Sequence, residues 1–387
     1  MKIETRRSLG VFVAGYCTFV NLYTPQAFLP ALAADLGTTP TQVGLCITVT
    51  LLAVSLMAPV AGAISDRLGR KRLIVAACTA LLVPTLLVAA SFSLQQLLFW
   101  RFVQGLCLPF IFTVTVAYIA DECSGPQSIR VSGLYASGTI FGGFSGRFIG
   151  GIVSDFAGWR AVFVVLAVLT ALGTIFVAWA LPREQRFRPM IGGLGGTIRA
   201  YSEHIRNRRL LATCAVGFGL LFCIVACFSF INFHLSAPPF SLTPSQLGSI
   251  FIVYLLGMVT APLSTRAAVR IGRAPALLLA MLSSATGMLL TLSSHIAVVI
   301  AGLALVTGGL FVAQALSLGF IGAAVPRARS SAVGLYVTIY YIGGALGGFA
   351  PGWVWHSFGW PGVVGLILLV LTLMAILGGR AWRTPHR

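Results

Sequence analysis

Twelve stretches of predominantly apolar residues follow one another along this 387-residue chain, at 9–32, 43–64, 73–92, 96–120, 131–156, 159–181, 210–235, 245–267, 275–293, 296–322, 332–357 and 361–379. About 20 helical residues cross the hydrocarbon of a bilayer, and these stretches match that length. The alternation of apolar and polar residues that marks a membrane barrel strand is absent. Inside lipid the backbone must satisfy its own hydrogen bonds, so each stretch is expected to be a helix. Only 9% of the residues are charged, against about a quarter in a soluble domain.

The charge that remains is lopsided, with 26 Lys and Arg against eight Asp and Glu, a net +18. In a soluble chain that balance points to nucleic acid. Its placement here points elsewhere. With the N-terminus on the cytoplasmic side, 23 of the 26 basic residues fall before, between or after spans on that side, and the exceptions are Arg101, Arg147 and Arg160. This is the positive-inside distribution of a multi-pass plasma (inner) membrane protein with both termini cytoplasmic. It implies anionic lipid as the neighbour of the basic loops, and no nucleic acid. The run from Leu9 to Leu32 exceeds a signal-peptide core and contains Asn21, Pro25 and Gln26, so an uncleaved first helix is expected. Of the eight cysteines, seven fall inside apolar spans and Cys123 in a predicted loop. None has metal-ligand spacing, so they read as small buried apolar groups, with no metal site and no cofactor.

A basic segment, 182–209, separates two sets of six spans, giving an expected division into 1–181, a linker and 210–387. Its Gly192-Gly193-Leu194-Gly195-Gly196 lacks the Lys-Ser/Thr of a phosphate loop and reads as flexible linker. The halves repeat. Residues 133–163 align without gaps to 334–364, offset by 201, with 12 identities in 31 positions, among them Gly158-Trp159 with Gly359-Trp360. Thr39-Pro40-Thr41-Gln42 pairs with Thr243-Pro244-Ser245-Gln246, and each reads as an N-cap, a first-turn proline and an N3 glutamine. Glycines 138, 142, 146 and 150 form an i, i+4 stripe that permits close helix contact.

Between the second and third spans stands Gly62-Ala63-Ile64-Ser65-Asp66-Arg67-Leu68-Gly69-Arg70-Lys71-Arg72. A positive-inside anchor needs neither the acid nor the glycines. The pattern Gly-x-x-x-Asp-Arg-x-Gly-Arg-Lys resembles the signature loop of the major facilitator superfamily. That resemblance covers the whole chain. It implies an all-α membrane protein with two six-helix bundles related by a pseudo-two-fold axis, twelve transmembrane helices, and secondary transport by alternating access. It further implies that Gly62, Asp66, Arg67, Gly69, Arg70 and Lys71 form a conformational latch. The matching stretch of the second half, Val269-Arg270-Ile271-Gly272-Arg273, has lost the acid.

Arg101, in Arg101-Phe102-Val103-Gln104-Gly105, resembles the fourth-helix motif of drug:proton antiporters, where the arginine is tied to proton coupling. A snorkelling interfacial arginine is the alternative. Arg147 stands in the fifth span where efflux members carry a Gly-Pro motif. That departure resembles the arabinose-efflux-like and YnfM-type branch. Arg147 is expected either to face a cavity and bind an anionic group or to pair with Asp155 two turns on. No acid lies near the middle of any span, which argues for neutral or anionic substrates. Coupling candidates are Arg101 and Asp155, then Asp66 and His234.

Asn21, Tyr23, Gln26, Gln104, Arg147, Asn232, Gln314, Tyr340 and Tyr341 are the expected substrate-binding set, each alone also readable as a helix–helix hydrogen bond. Pro25 and Pro109 mark expected bends. An intramembrane enzyme would need a carboxylate pair, a zinc triad or a Ser–His dyad, and none is present. A sensor on the same scaffold is expected to carry a soluble tail, whereas the chain ends eight residues after the last span. The expectation is therefore a monomeric, proton-driven exporter of a small organic solute. Uptake or exchange of an anionic metabolite through Arg101 and Arg147 is the alternative.

Overall fold

The computed structural model describes residues 3–185, 204–324 and 329–382. The glycine-rich linker segment, Arg327, and the C-terminal Arg383 and Arg387 lie outside the described residues. Among the described residues the chain is helical throughout, without strands.

The helices are α1 (Ile3–Leu22), α2 (Leu29–Leu36), α3 (Pro40–Leu68), α4 (Arg70–Ala89), α5 (Leu94–Glu122), α6 (Gly125–Ala180), α7 (Arg208–Ser236), α8 (Pro244–Ile250), α9 (Leu256–Ile271), α10 (Arg273–Leu290), α11 (Ile296–Ala324), α12 (Arg329–Phe349) and α13 (Pro351–Ala381). Nine helical segments among the described residues are long and apolar enough to cross a membrane. One of them, α6, carries two of the expected spans, and the first and eighth spans are broken helices outside the nine, which accounts for twelve. Helix α6 turns at Gly158 (φ 78°) and α13 at Gly359 (φ 58°). These are partners in the 201-residue repeat, and a left-handed backbone favours glycine at both. The first span differs from the single helix expected: α1 ends at Leu22, a 3₁₀ turn runs over Thr24–Phe28, and α2 completes the crossing. The eighth is likewise divided by a 3₁₀ turn at Phe251–Leu255.

Contacts divide the chain into two compact units. The first comprises Met1–Thr38, Val49–Gly195 and Thr243–Ser249; the second comprises Thr39–Thr48, Gly196–Leu242 and Ile250–Arg387. Within the first, α1 lies along α6, and the glycine stripe is the seam. A Cβ on Gly142 would stand 2.6 Å from the carbonyl oxygen of Tyr16, and one on Gly146 2.7 Å from that of Val20. Within the second, α7 packs on α12, and Gly347 meets the backbone of Phe222 in the same manner.

The capping boxes form as expected. The Thr39 N–H donates to Gln42 Oε1 (3.0 Å), and the Thr243 N–H to Gln246 Oε1 (3.0 Å). Cys123 lies in the short connection between α5 and α6, as expected, where it caps the C-terminus of α5 and is buried.

Candidate functional site: two arginines at the break in the first span

The break after α1 follows from Pro25. In a continuous helix the N–H of residue 25 would bond the carbonyl of Asn21, but proline has no N–H. The next donor, the Gln26 N–H, turns instead to the Tyr23 carbonyl (3.0 Å), as a 3₁₀ turn requires. The carbonyls of Asn21 and Leu22 thus lose their helical partners in a buried setting, where an unmet acceptor costs about 1–3 kcal/mol. Arg101 of α5 supplies both. Nη1 donates to the Asn21 carbonyl (3.0 Å) and Nη2 to that of Leu22 (2.7 Å). The side chain is fully buried, so the snorkelling alternative does not hold.

Gln104, one turn on, fixes the same guanidinium through Oε1 (2.7 Å) and donates from Nε2 to Thr85 Oγ1 (2.8 Å). Asn21 Nδ2 donates to Thr170 Oγ1 (2.8 Å) and to the Cys17 carbonyl (2.8 Å). Arg101, Gln104, Asn21, Thr85 and Thr170 therefore form one polar network joining α1, α4, α5 and α6. Thr85 and Thr170 were not legible as partners, because a threonine inside an apolar span carries no signal of its own.

Arg147 approaches the other side of the break. From α6 its Nε and Nη2 both donate to Gln26 Oε1 (2.9 and 2.6 Å), and Nη1 to the Gly143 carbonyl. The guanidinium lies 4.7 Å from the centre of the Tyr23 ring, a cation–π distance. Arg147 is 1% exposed. Asp155 takes another partner: it accepts from the Ser245 N–H (3.4 Å) at the start of α8, within the first unit. The position equivalent to Arg147 in the second half is Gly348.

The remaining predicted residues lie in the second unit. Gln314 lies in α11, and Tyr340 of α12 stacks on Tyr336 (5.9 Å) and meets Tyr341 edge-on (5.5 Å). Asn232 donates to the Phe228 carbonyl of its own helix (3.0 Å). His234 stacks on Trp360 (5.9 Å).

At the basic end of the first unit, Arg70 is the hub of the signature segment. Its guanidinium pairs with Asp66 (2.7 Å) and with Asp121 at the end of α5 (2.9 Å), and donates to Ser65. Gly69 (φ 90°) makes the turn between α3 and α4, and Arg67 is exposed. Sequence reasoning missed Asp121 and its neighbour Glu122. Glu122 is buried, lies 3.7 Å from Arg7 and accepts from the Gln185 N–H (2.8 Å). The available signal was two adjacent acids at a helix end in a chain with only eight. At the opposite end Asp35 accepts from Trp159 Nε1 (2.8 Å) and Arg160 (2.9 Å). Those two donors hold its carboxyl below the usual range.

A helical chain with many spans, buried intramembrane arginines and a repeated architecture is the frame of a membrane transporter. Residues 11–238 match the Major Facilitator Superfamily, and the chain belongs to that family. It is 33% identical to the inner membrane transport protein YnfM of Escherichia coli, over 98% of this chain and 91% of that protein. It is 24% identical to the multidrug efflux protein YfmO of Bacillus subtilis, over 96% and 92%. The fold is that of the bacterial homologue of the human lysosomal transporter Spinster, with a TM-score of 0.81 at 14% identity and full coverage of both chains.

Proposed function

We propose that this protein exports a small organic solute in exchange for protons, by alternating access in which residues 1–181 rock against 210–387, and that the solute meets Arg147, Gln26 and Tyr23. The observation that carries the reading is the buried Arg147. An arginine inside a membrane costs at least a few kcal/mol, and the fold does not require this one, since the first-span break is already capped by Arg101. Its planar fork suits a carboxylate, a phosphate or a strong neutral acceptor, and the Tyr23 ring beside it suits an aromatic or apolar body. Within the second half, Asn232, Gln314, Tyr340 and Tyr341 are proposed as further solute-binding groups.

Arg101 acts in this reading as a positioning residue that holds the break in shape, and Gln104 and Asn21 act through it. Asp155, two turns along α6 from Arg147, is the proton-exchanging group. Asp66, Arg70, Lys71 and their glycines form the latch. The termini lie in the cytoplasm. Export is supported by the efflux name of a relative that spans nearly the whole chain. Exchange or uptake of an anionic metabolite is the second reading, and Arg147 itself favours it.

Purified protein in liposomes with a pH-sensitive dye inside, challenged with anionic, neutral and cationic solutes, tests this. Proton movement driven by some solutes, abolished in Asp155→Asn and altered in solute selectivity by Arg147→Ala, is expected. Proton movement with anions alone, lost in Arg147→Ala, selects the metabolite reading. Unchanged transport and selectivity in Arg147→Ala sinks the assigned site.

A further inference from the structure

At the basic end of the first unit, a cavity of about 680 Å³ opens between the first turns of α4 and the end of α6. Its walls differ in character. Val75 and Ala178 line it on the side of the spans, and Lys71, Arg72 and Arg183 line it on the side of the loops, with Glu184 as the one acid among the described residues. Arg6 stands close by: it donates to the Trp179 carbonyl and lies 4.7 Å from the centre of that indole. The Trp179 ring is half exposed. An exposed tryptophan at a helix end is the usual mark of headgroup depth, so the cavity sits where apolar chain gives way to polar head.

The charge there is unbalanced. Lys71, Arg72 and Arg183 line one cavity together with a single carboxylate among the described residues, Glu184. Cations that converge on one space repel one another unless an anion fills it. Two neighbouring arginines are matched: Arg70 holds Asp66 and Asp121, and Arg7 holds Glu122. Lys71, Arg72 and Arg183 face the cavity instead.

We propose that this cavity holds the phosphate head of an anionic phospholipid, with Lys71, Arg72 and Arg183 around the phosphate and the first carbons of an acyl chain along Val75 and Ala178. A free phosphate would use the cationic wall alone. The apolar wall that continues toward the spans is the reason to assign a lipid. Basic pockets between spans are suited to such heads. The site does not depend on which solute is carried or in which direction.

The test uses the full-length chain in mixed micelles, with retained lipid counted by native mass spectrometry. Phosphatidylglycerol is compared with phosphatidylcholine, and inorganic phosphate forms a separate arm. One phosphatidylglycerol is expected to stay bound in preference to phosphatidylcholine. The triple variant Lys71→Gln, Arg72→Gln, Arg183→Gln should weaken that preference by about fivefold per charge removed. A control triple at exposed basic positions, Arg130→Gln, Arg206→Gln, Arg208→Gln, should keep it. Equal losses in both triples mean diffuse attraction and overturn the site. Inorganic phosphate at millimolar concentration displacing phosphatidylglycerol overturns the lipid assignment. Should the first triple lower the melting temperature, the single changes at exposed Arg72 and Arg183 give the same reading, each expected to cost about fivefold.

Discussion

Pro25 removes one backbone donor, and a side chain 76 residues later in sequence replaces it. The pairing of Arg101 with the carbonyls of Asn21 and Leu22 assigns this arginine a structural duty that a coupling motif does not by itself suggest. Arg101→Met should cost about 1–3 kcal/mol for each carbonyl left without a donor, measured as thermal unfolding of the purified protein. Pro25→Ala in that background restores an N–H opposite Asn21 and should return about 1 kcal/mol. Should Pro25→Ala return nothing, the arginine's stabilising contacts lie elsewhere. Asp35 gives a prediction with a sign. Hydrogen bonds from Trp159 and Arg160 lower its pKa in the folded protein. Its contribution is therefore fully present above the unfolded value of about 3.9 and is lost as pH falls through the lower folded value. Melting temperature plotted against pH should show wild type and Asp35→Asn running parallel from pH 7 to 5 and converging below about pH 4. Half of the Asp35 side chain is exposed, so the gap is expected to be small. A gap that widens with acid contradicts the assignment.

At the scale of elements, glycines 138, 142 and 146 meet α1 at Phe12, Tyr16 and Val20, and Gly150 meets Thr24 at the start of the 3₁₀ turn. Gly142→Ala should push α6 from α1 and lower stability by about 1–3 kcal/mol. Gly133→Ala, in the same helix with open space around it, should be neutral or stabilising by up to about 1 kcal/mol. Similar effects at both sites would show that the seam is not tightly packed. This seam was legible because a period of four in one residue type survives in sequence. So were the spans, the capping boxes and the turns at Gly158 and Gly359, which depend on local composition or on the repeat. The site was legible only in part. Polarity inside an apolar span singled out Arg101, Arg147, Gln104 and Gln26, but no spacing could tell that Gln26 accepts from a residue 121 positions away. Nor could it separate Arg101 from Arg147 in role, since that depends on which backbone carbonyls the break exposes.

For the molecule as a whole, the distribution of charge predicts which way the chain crosses the membrane. Moving Lys or Arg across the bilayer during insertion is unfavourable, and 23 of 26 basic residues share the side on which the N-terminus lies, so that side is expected to be the cytoplasm. Three exposed positions test this. Phe92 lies between α4 and α5, Phe156 beside the turn at Gly158, and Ile129 near the start of α6, and all three are exposed. Seven of the eight native cysteines are buried, so a membrane-impermeant maleimide should give little background. Phe92→Cys and Phe156→Cys should label in intact cells. Ile129→Cys should label only after the membrane is opened. The reverse pattern would place the signature segment, Arg130 and the lipid cavity on the outer face. It would leave the seam, the break and its two arginines as described, because those rest on contacts within the first unit and not on its direction in the bilayer.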